Sequence, residues 1–300
     1  MNAPALPTGW KLWLAGARPR TLPAAVVPVA VGTAAAVGEG VDTAWWRAGL
    51  ALVVSLALQV GVNYANDYSD GVRGTDGERR VGPLRLVGSG LVSAGAVKRA
   101  ATLVFGVAGV AGAVLALVVG PELFLVGGLC LVAGWTYTGG PKPYGYLGLG
   151  EVFVFVFFGL VATVGTTYVL LEKITTLSVV ASVAVGLWAT ALLVVNNLRD
   201  IPGDTEAGKN TLAVRIGDPA TRVVFSVVHL GALGFAMWAS IGWGRWAGLV
   251  VLLGVAYMIQ AIVDVKKGAT GPDLIKVLGL TGQTQLISGL ALAGGLALSG

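Results

Sequence analysis

The sequence predicts an all-α integral membrane protein, a polytopic bundle of nine transmembrane helices that forms one domain over residues 1–300. Of the 300 residues, 55% are hydrophobic and only 12% are charged, whereas roughly a quarter are charged in an ordinary soluble domain. The mean hydropathy is +0.81. Apolar stretches of about 20 residues, the length that crosses the ~30 Å hydrocarbon core of a bilayer, recur along the whole chain. These features exclude a soluble globular protein.

The nine helices follow from the apolar stretches taken in order. The first, at 22–37, comes after Lys11, Arg18 and Arg20 and has no clear small-residue cleavage site. We therefore expect an uncleaved helix rather than a removable signal peptide. The other eight are predicted at 45–65, 100–119, 121–138, 150–171, 175–197, 220–241, 244–264 and 275–299. An odd number of crossings would place the two termini on opposite sides of the membrane.

The distribution of basic residues predicts the orientation. Of the 20 Lys and Arg residues, all but Arg47, Lys173 and Arg245 fall on one side of this arrangement. Cytoplasmic loops carry the excess of basic residues in membrane proteins. We expect a multi-pass protein of a bacterial cell membrane, with a cytoplasmic N-terminus and an external C-terminus. The net charge of +5 then belongs to loops beside an anionic leaflet and does not indicate nucleic-acid binding.

Several kinds of chemistry are excluded by composition. Cys130 is the single cysteine and His229 the single histidine, so neither an intrachain disulfide nor a multi-histidine metal site can form. We expect His229, which has no charged neighbour in sequence, to be a packing residue. No phosphate-binding P-loop, dinucleotide fingerprint or nucleophile elbow is present. A bound metal would be a hard ion held by oxygens.

Two long loops, at about 66–99 and 198–219, hold most of the unusual residues. A shift of 130 residues superimposes the first on the second, and four of the matches are Asn66 on Asn196, Asp70 on Asp200, Arg79 on Lys209 and Arg85 on Arg215. This predicts an internal repeat of about 45–171 and 175–299. The shift spans four predicted helices, an even number, so both loops would lie on the same membrane face.

The two loops carry matched pairs of carboxylates. Asp67 and Asp70 are three residues apart, and Asp200 and Asp204 are four apart, so each pair can direct two carboxylates to one point on a helix end. Facing pairs would repel unless cations lay between them. Carboxylate and amide oxygens suit Mg²⁺, which completes its shell with water and substrate phosphates. The neighbouring cations suit a bridging diphosphate; they are Arg73, Arg79, Arg80, Arg199 and Lys209.

Two plainer interpretations stay open for these residues. The loops could be solvated segments whose charges only end helices and set topology, although membrane-embedded polar clusters are costly and usually functional. Asn63 and Asn66 could serve as hydrogen-bonding contacts between helices.

A third loop runs from Tyr137 to Tyr146 and is rich in glycine and proline. Its Lys142 is either a phosphate contact or one more cytoplasmic positive charge. The helix that follows carries Phe153, Phe155, Phe157 and Phe158. Some of these rings could line the bundle beside a polyisoprenoid or stabilise a carbocation.

The motifs Asn66-Asp67-x-x-Asp70 and Asp200-x-x-x-Asp204 resemble those of the UbiA superfamily of intramembrane aromatic prenyltransferases. The resemblance is closer to its branch that prenylates 1,4-dihydroxy-2-naphthoate in menaquinone biosynthesis. The segments that carry this resemblance are residues 17–23, 80–85, 137–151, 196–201 and 208–215. The family's first motif has a further aspartate where this chain has Gly74, and Asp76 follows two residues later.

The resemblance implies nine helices around a lipid-accessible, cytoplasm-facing active-site cavity. It implies Mg²⁺, a polyprenyl diphosphate donor and a naphthoate acceptor that loses CO₂ to give demethylmenaquinol. The implied metal ligands are Asp67, Asp70, Asp200, Asp204 and Asp76, and Lys142 joins the first four as a catalytic residue. The implied substrate-binding residues are Asn66, Arg73, Asn197, Arg199, Lys209 and Tyr137. Arg20 or Gln59 is expected to meet the acceptor, because both lie near the cytoplasmic half of the predicted bundle.

Two alternatives remain for the function. A prenyltransferase for another aromatic acceptor, such as 4-hydroxybenzoate, would keep the carboxylate pairs and differ in the acceptor pocket. A transporter would also be polytopic with repeats, but its polar residues would lie near the middle of the membrane rather than at one face.

Overall fold

The computed structural model describes residues 7–40, 44–74 and 84–300. All regular elements in these ranges are helical, as the composition predicts. The α-helices are α1 (Trp10–Ala17), α2 (Pro23–Ala36), α3 (Trp45–Arg73), α4 (Ala94–Val118), α5 (Glu122–Thr136), α6 (Gly150–Val154), α7 (Ala162–Leu171), α8 (Thr176–Glu206), α9 (Leu212–Ile241), α10 (Val255–Lys266) and α11 (Gly271–Leu298). Three 3₁₀ segments (Pro19–Thr21, Tyr144–Leu147 and Trp246–Gly254) and one π-helical segment (Phe155–Val161) join them.

The prediction of nine transmembrane helices is wrong. Within the described residues, six helical stretches are long and apolar enough to cross a membrane: Trp45–Arg73, Ala94–Val118, Gly150–Leu171, Thr176–Glu206, Leu212–Ile241 and Trp246–Lys266.

The three remaining predicted spans fail for two physical reasons. Helices α2 and α5 have 14 and 15 residues. At 1.5 Å per residue they are only about 21 and 22 Å long, short of the ~30 Å hydrocarbon core. Helix α11 is long enough, but its middle carries Thr281, Gln283, Thr284 and Gln285, which lower its hydropathy. Apolar composition alone therefore overestimates the number of spans.

Contacts between loops define two ends of the bundle. At the far end, Arg245 donates hydrogen bonds to the carbonyls of Ala34, Val37 and Leu296, and Gly300 packs against Gly38. The opposite end, here called the site end, brings together residues 66–74, 84–90, 137–149 and 199–211. The backbone N–H of Asn210, for example, donates to the carbonyl of Tyr146 at 3.1 Å.

Helix α8 forms the centre of the bundle. It packs against α9, α2, α11 and the π-helical segment, and its buried face is made largely of alanine and valine around Trp188. At Gly159, an added Cβ would lie only 2.4 Å from the Cα of Gly186. These two glycines allow the π-helical segment to lie directly on α8, and this contact brings the start of α6 to the polar end of α8.

The predicted repeat matches the helix boundaries in one respect. Helix α3 covers 45–73, and a shift of 130 places it at 175–203, close to the observed α8 at Thr176–Glu206. The two acidic pairs, expected in loops that begin at about 66 and 198, lie instead on the last turns of these helices, because α3 continues to Arg73 and α8 to Glu206. The duplication itself stays a prediction.

Candidate active site

A cavity of about 1260 Å³ lies inside the bundle and extends to the site end. At the site end it is lined by the carboxylates of Asp70, Asp200 and Asp204. Toward the far end its wall consists of apolar side chains such as Val54 and Leu115. A cavity with a charged head and a long apolar body suits an amphiphilic ligand whose charge lies at one end.

The buried carboxylate of Asp70 connects three segments of the site end. Its Oδ1 accepts a hydrogen bond from the Tyr146 hydroxyl at 2.6 Å and pairs with the Lys209 ammonium at 3.2 Å. Its Oδ2 lies 3.5 Å from a guanidinium nitrogen of Arg85. Only 3% of the residue is exposed. A buried charge needs such partners because its desolvation is otherwise very costly.

Tyr146 extends this cluster through its ring. The Lys209 ammonium lies 4.8 Å from the ring centroid and the Arg73 guanidinium 5.3 Å from it. Burial lowers the pKa of Lys209, but Asp70, Tyr146 and Asp204 raise it by more, so the net pKa is above the ordinary value. Lys209 is therefore a cation at neutral pH, fixed between a carboxylate and an aromatic face.

The second acidic motif is built around Arg199, whose side chain is almost completely buried. Its guanidinium pairs with Asp200 through two contacts of 2.8 and 2.7 Å and donates to Asn196 Oδ1 at 2.8 Å. Two residues before Arg199, Asn197 donates to the buried Glu151 at 2.8 Å. The site end of α8 thus presents a cation and a carboxylate to the cavity in fixed positions.

Tyr137 lies between the two acidic motifs. Burial raises the pKa of its hydroxyl, and the negative charges of Glu151, Asp70 and Asp204 add to this. The hydroxyl therefore keeps its proton and can act as a hydrogen-bond donor inside the cavity. Its ring packs against Gly145, where an added Cβ would lie 2.9 Å from Cε2 of the Tyr137 ring.

Four aromatic rings, here called the aromatic ladder, follow one another along the cavity wall: Tyr137, Tyr144, Phe153 and Phe157. Ring centroids are 5.4 Å apart for Tyr137 and Tyr144, 3.9 Å for Tyr144 and Phe153, and 5.9 Å for Phe153 and Phe157. All four residues line the cavity. This aromatic ladder begins beside the carboxylates and leads into the apolar part of the cavity.

The carboxylates do not form a ready metal site. Within the ranges described, no three His, Cys, Asp or Glu side chains converge as a metal-binding group, and Asp70 and Asp200 pair with cations instead. The donors around the cavity are nevertheless carboxylate and amide oxygens, the ligand set of a hard divalent ion. The chemistry of these donors therefore fits Mg²⁺. The carboxylates of Asp70 and Asp200 would become available to the ion if their arginine and lysine partners bound another anion.

The sequence pattern of the UbiA prenyltransferase family matches residues 25–275. The chain belongs to this family. The prediction of a prenyltransferase is thereby confirmed.

The chain is 47% identical over 290 residues to a protein of Mycobacterium leprae named 1,4-dihydroxy-2-naphthoate octaprenyltransferase, with 96% of this chain and 97% of the relative covered. A protein of Mycobacterium tuberculosis with the same name is also 47% identical, over 95% and 96% of the two chains. The resemblance to the naphthoate branch is confirmed.

A solved structure shares the fold at much lower identity. It is a UbiA homologue from Archaeoglobus fulgidus bound to GPP and Mg²⁺, which superimposes with a TM-score of 0.65 at 14% identity and covers 94% of this chain and 99% of its own. At this identity the likeness concerns the fold alone.

For this family member, the structure places ten of the predicted site residues around one cavity. They are Arg20, Gln59, Asn66, Asp70, Tyr137, Asn197, Arg199, Asp200, Asp204 and Lys209. Their functional roles stay predictions.

The remaining predicted residues lie elsewhere. Arg73 is exposed and donates to the carbonyls of Thr138 and Gly140, and Lys142 is exposed on the same loop. Neither lines the cavity. Asp67 is completely buried outside the cavity lining. Asp76 lies outside the described residues.

Several of the intramembrane amides have a packing role that the sequence left open. Asn63 donates to the Ala17 carbonyl at 2.8 Å and to the Thr21 hydroxyl at 3.1 Å, and Gln59 donates to the same hydroxyl at 3.0 Å. These bonds fasten the segment that carries Arg20 to α3. Asn66, by contrast, accepts a hydrogen bond from the Thr138 hydroxyl at 2.7 Å.

Sequence reasoning missed Tyr146 and undervalued Arg85. Both contact Asp70 and line the cavity. The available signal for Tyr146 was its place in a loop rich in glycine and proline, Pro141 to Gly148, that carries two tyrosines but only one charge. Nothing in the local sequence indicated that its hydroxyl would meet a carboxylate 76 residues earlier.

Proposed function

We propose that this protein transfers a polyprenyl group from a polyprenyl diphosphate to 1,4-dihydroxy-2-naphthoate with loss of CO₂, which yields demethylmenaquinol in menaquinone biosynthesis. The observation that carries the proposal is the 47% identity over 96% of the chain to the Mycobacterium leprae protein named for this acceptor. The cavity supports the proposal. Its charged end suits a diphosphate, and its apolar part suits a prenyl chain.

The donor's diphosphate binds, in this proposal, among the cations at the site end. Arg199, Lys209 and Arg85 line the cavity and now pair with carboxylates. A diphosphate offers them a second anion. Fixed positive charge at this position stabilises the negative charge that develops as the allylic C–O bond breaks.

Mg²⁺ is proposed as the ion that complements these cations. Asp70, Asp200 and Asp204 would hold it, with amide oxygens of Asn66 and Asn197 in support, since these residues line the same cavity. The bound ion would supply Lewis-acid neutralisation of the leaving diphosphate. The Archaeoglobus fulgidus homologue bound to GPP and Mg²⁺ gives this choice of ion its support.

The aromatic ladder is proposed to flank the first carbons of the prenyl chain. Tyr137 stands between the acidic motifs, and Tyr144, Phe153 and Phe157 follow in stacking distance. Aromatic faces attract a cation by about 2 kcal/mol or more when water is excluded. The same apolar wall keeps water from the developing carbocation.

The acceptor is proposed to enter at the site end beside Arg20, which is exposed and lines the cavity. A guanidinium matches the naphthoate carboxylate. Gln59 lines the same region and is held by Thr21. The ring carbon that bears the carboxylate attacks the allylic carbon, and the carboxylate then leaves as CO₂.

We also propose that the site end faces the cytoplasm. Its surface carries most of the basic residues, whereas Arg47, Lys173 and Arg245 lie at the far end with Glu39 and Glu172. The excess of positive charge marks the cytoplasmic side. Gly300, which packs beside Arg245, would then lie outside.

Loss of labelled CO₂ tests the acceptor. Membranes that contain the protein should release label from carboxyl-labelled 1,4-dihydroxy-2-naphthoate in step with prenylated product, and only when a polyprenyl diphosphate is present. A 4-hydroxybenzoate acceptor would keep its carboxylate. Preferential prenylation of 4-hydroxybenzoate, or a naphthoate product that retains the label, would reject the naphthoate assignment and leave the prenyltransferase intact.

Removal of one carboxylate tests the metal proposal. Asp200→Asn keeps the shape of the side chain but removes an anionic ligand, so prenyl transfer should be abolished while the melting temperature stays near that of wild type. Asp218→Asn is the control, because Asp218 also pairs with an arginine, Arg222, but does not line the cavity. Near wild-type turnover of Asp200→Asn, or full activity in excess chelator, would contradict the proposal.

A comparison of two lysines tests the diphosphate site. Lys209→Ala should lower kcat/KM for the prenyl diphosphate by about 100-fold, because a fixed cation beside the departing charge is lost. The exposed Lys142 lies outside the cavity lining, which favours the topological role left open for it, so Lys142→Ala should change kcat/KM by less than about threefold. The reverse ranking would assign the diphosphate contact to Lys142.

Single-cysteine labelling tests the orientation. In a Cys130→Ala background, Glu206→Cys at the site end should react with an impermeant maleimide only in inverted vesicles. Ile174→Cys, which replaces an exposed side chain near the far end, should react in intact cells. The opposite labelling pattern would overturn the proposed orientation.

A further inference from the structure

Asp67 differs from the other acidic residues in where its carboxylate points. The backbone N–H of Leu86 donates to Oδ2 at 2.8 Å and that of Val87 donates to Oδ1 at 3.0 Å. The residue is 0% exposed and does not line the cavity, whereas Asp70, one turn later, does. Both oxygens of Asp67 are thus engaged by neighbouring backbone.

The segment held by Asp67 is compact and anchored on both sides. Leu86 is completely buried in a cluster with Ala17 and Tyr64, and Val92 donates its N–H to the Leu86 carbonyl at 3.0 Å. On the α3 side, Val87 packs over Gly71, where an added Cβ would lie 2.5 Å from Val87 Cγ1. Residues 84–90 therefore lie in one fixed position across α3.

This position has a consequence for the cavity. Arg85 immediately precedes the two residues that Asp67 holds, and its guanidinium reaches Asp70 at 3.5 Å. Arg85 and Leu84 line the cavity, but Asp67 does not. Charge-assisted hydrogen bonds from two backbone N–H groups to one carboxylate are strong, and moving Asp67 into the cavity would break both.

We propose that Asp67 is a positioning residue and not a metal ligand: it fastens residues 84–90 to α3 and thereby places Arg85 beside Asp70. The inference deepens the proposed function at the same site and rests on it for the role of Arg85. The two carboxylates of the first acidic motif then have different roles. Asp70 faces the cavity, and Asp67 binds the backbone of residues 84–90.

Amide hydrogen exchange of the full-length protein in nanodiscs, without metal, tests the anchor directly. Asp67→Asn should accelerate exchange of the Leu86 and Val87 amides at least about tenfold, because a carboxamide presents one acceptor oxygen where the carboxylate presents two. Asp70→Asn should leave these two amides at the wild-type rate. Unchanged exchange at Leu86 and Val87 in Asp67→Asn would contradict the anchor, and titration with the metal separates an anchor from a ligand.

Titration with Mg²⁺ provides the second measurement. Calorimetry should show weakened Mg²⁺ binding for Asp70→Asn and wild-type affinity for Asp67→Asn. Wild-type exchange rates in Asp67→Asn, or a loss of Mg²⁺ affinity equal to that of Asp70→Asn, would overturn the proposal. Neither measurement needs an acceptor or turnover, so failure of the naphthoate assignment would leave this test intact.

Gly71→Ala covers the case in which Asp67→Asn does not fold. Alanine is favoured over glycine in a helix, but its methyl group would displace Val87 while every carboxylate remains. This variant should accelerate exchange at Leu86 and Val87, lower kcat for prenyl transfer and keep wild-type Mg²⁺ affinity. Wild-type exchange together with wild-type kcat would contradict the proposed link between this segment and the cavity.

Discussion

The buried carboxylate of Asp70 is the contact on which the site end depends. Because a buried charge must be paired, the segments that carry Tyr146, Lys209 and Arg85 are all drawn to it. Each of these partners comes from a different loop. One carboxylate near the end of α3 is therefore the point at which three loops that are far apart in sequence meet.

The helical core provides the rigid frame for this cluster. Helix α8 is packed on nearly all sides, and the glycine contact between Gly159 and Gly186 brings the π-helical segment onto it. Local π-helical turns occur often at functional sites because they alter which side chains face a cavity. Here the turn follows Phe153, whose ring stacks with Tyr144 and Phe157 along the cavity. The packing of α8 against the π-helical segment thus positions Phe157, one member of this aromatic wall.

The cavity joins two environments that its chemistry needs together. At the site end, cations and carboxylates pair with each other, and in the proposed reaction a diphosphate and a hard ion replace these pairs. Deeper in the cavity, the wall consists of aromatic and aliphatic side chains. Electrostatic stabilisation is strongest where water is excluded, so the boundary between these environments is where bond cleavage is most effectively assisted.

The sequence by itself determined the all-α membrane class, the concentration of positive charge at one end and membership of the prenyltransferase family. These follow from composition, charge counting and short motifs, which are local properties. It overestimated the number of spans, because apolar composition does not report the length of α2 or α5 or the effect of the polar residues in α11. The family was recognisable because Asn66-Asp67-x-x-Asp70 and its partner motif lie on continuous segments, and the branch because segments such as 17–23, 80–85 and 137–151 are continuous as well.

Only the tertiary structure decided which of the motif residues face the cavity. Asp67 and Asp70 are one turn apart on one helix, and nothing local distinguishes them. The packing of residues 84–90 over α3 gives Asp67 two backbone donors and leaves Asp70 to the cavity. The same holds for the two lysines: Lys209 lines the cavity and Lys142 does not. This difference depends on how their loops pack against distant parts of the chain. Side-chain environments depend on contacts between distant segments, and these contacts are absent from any local pattern.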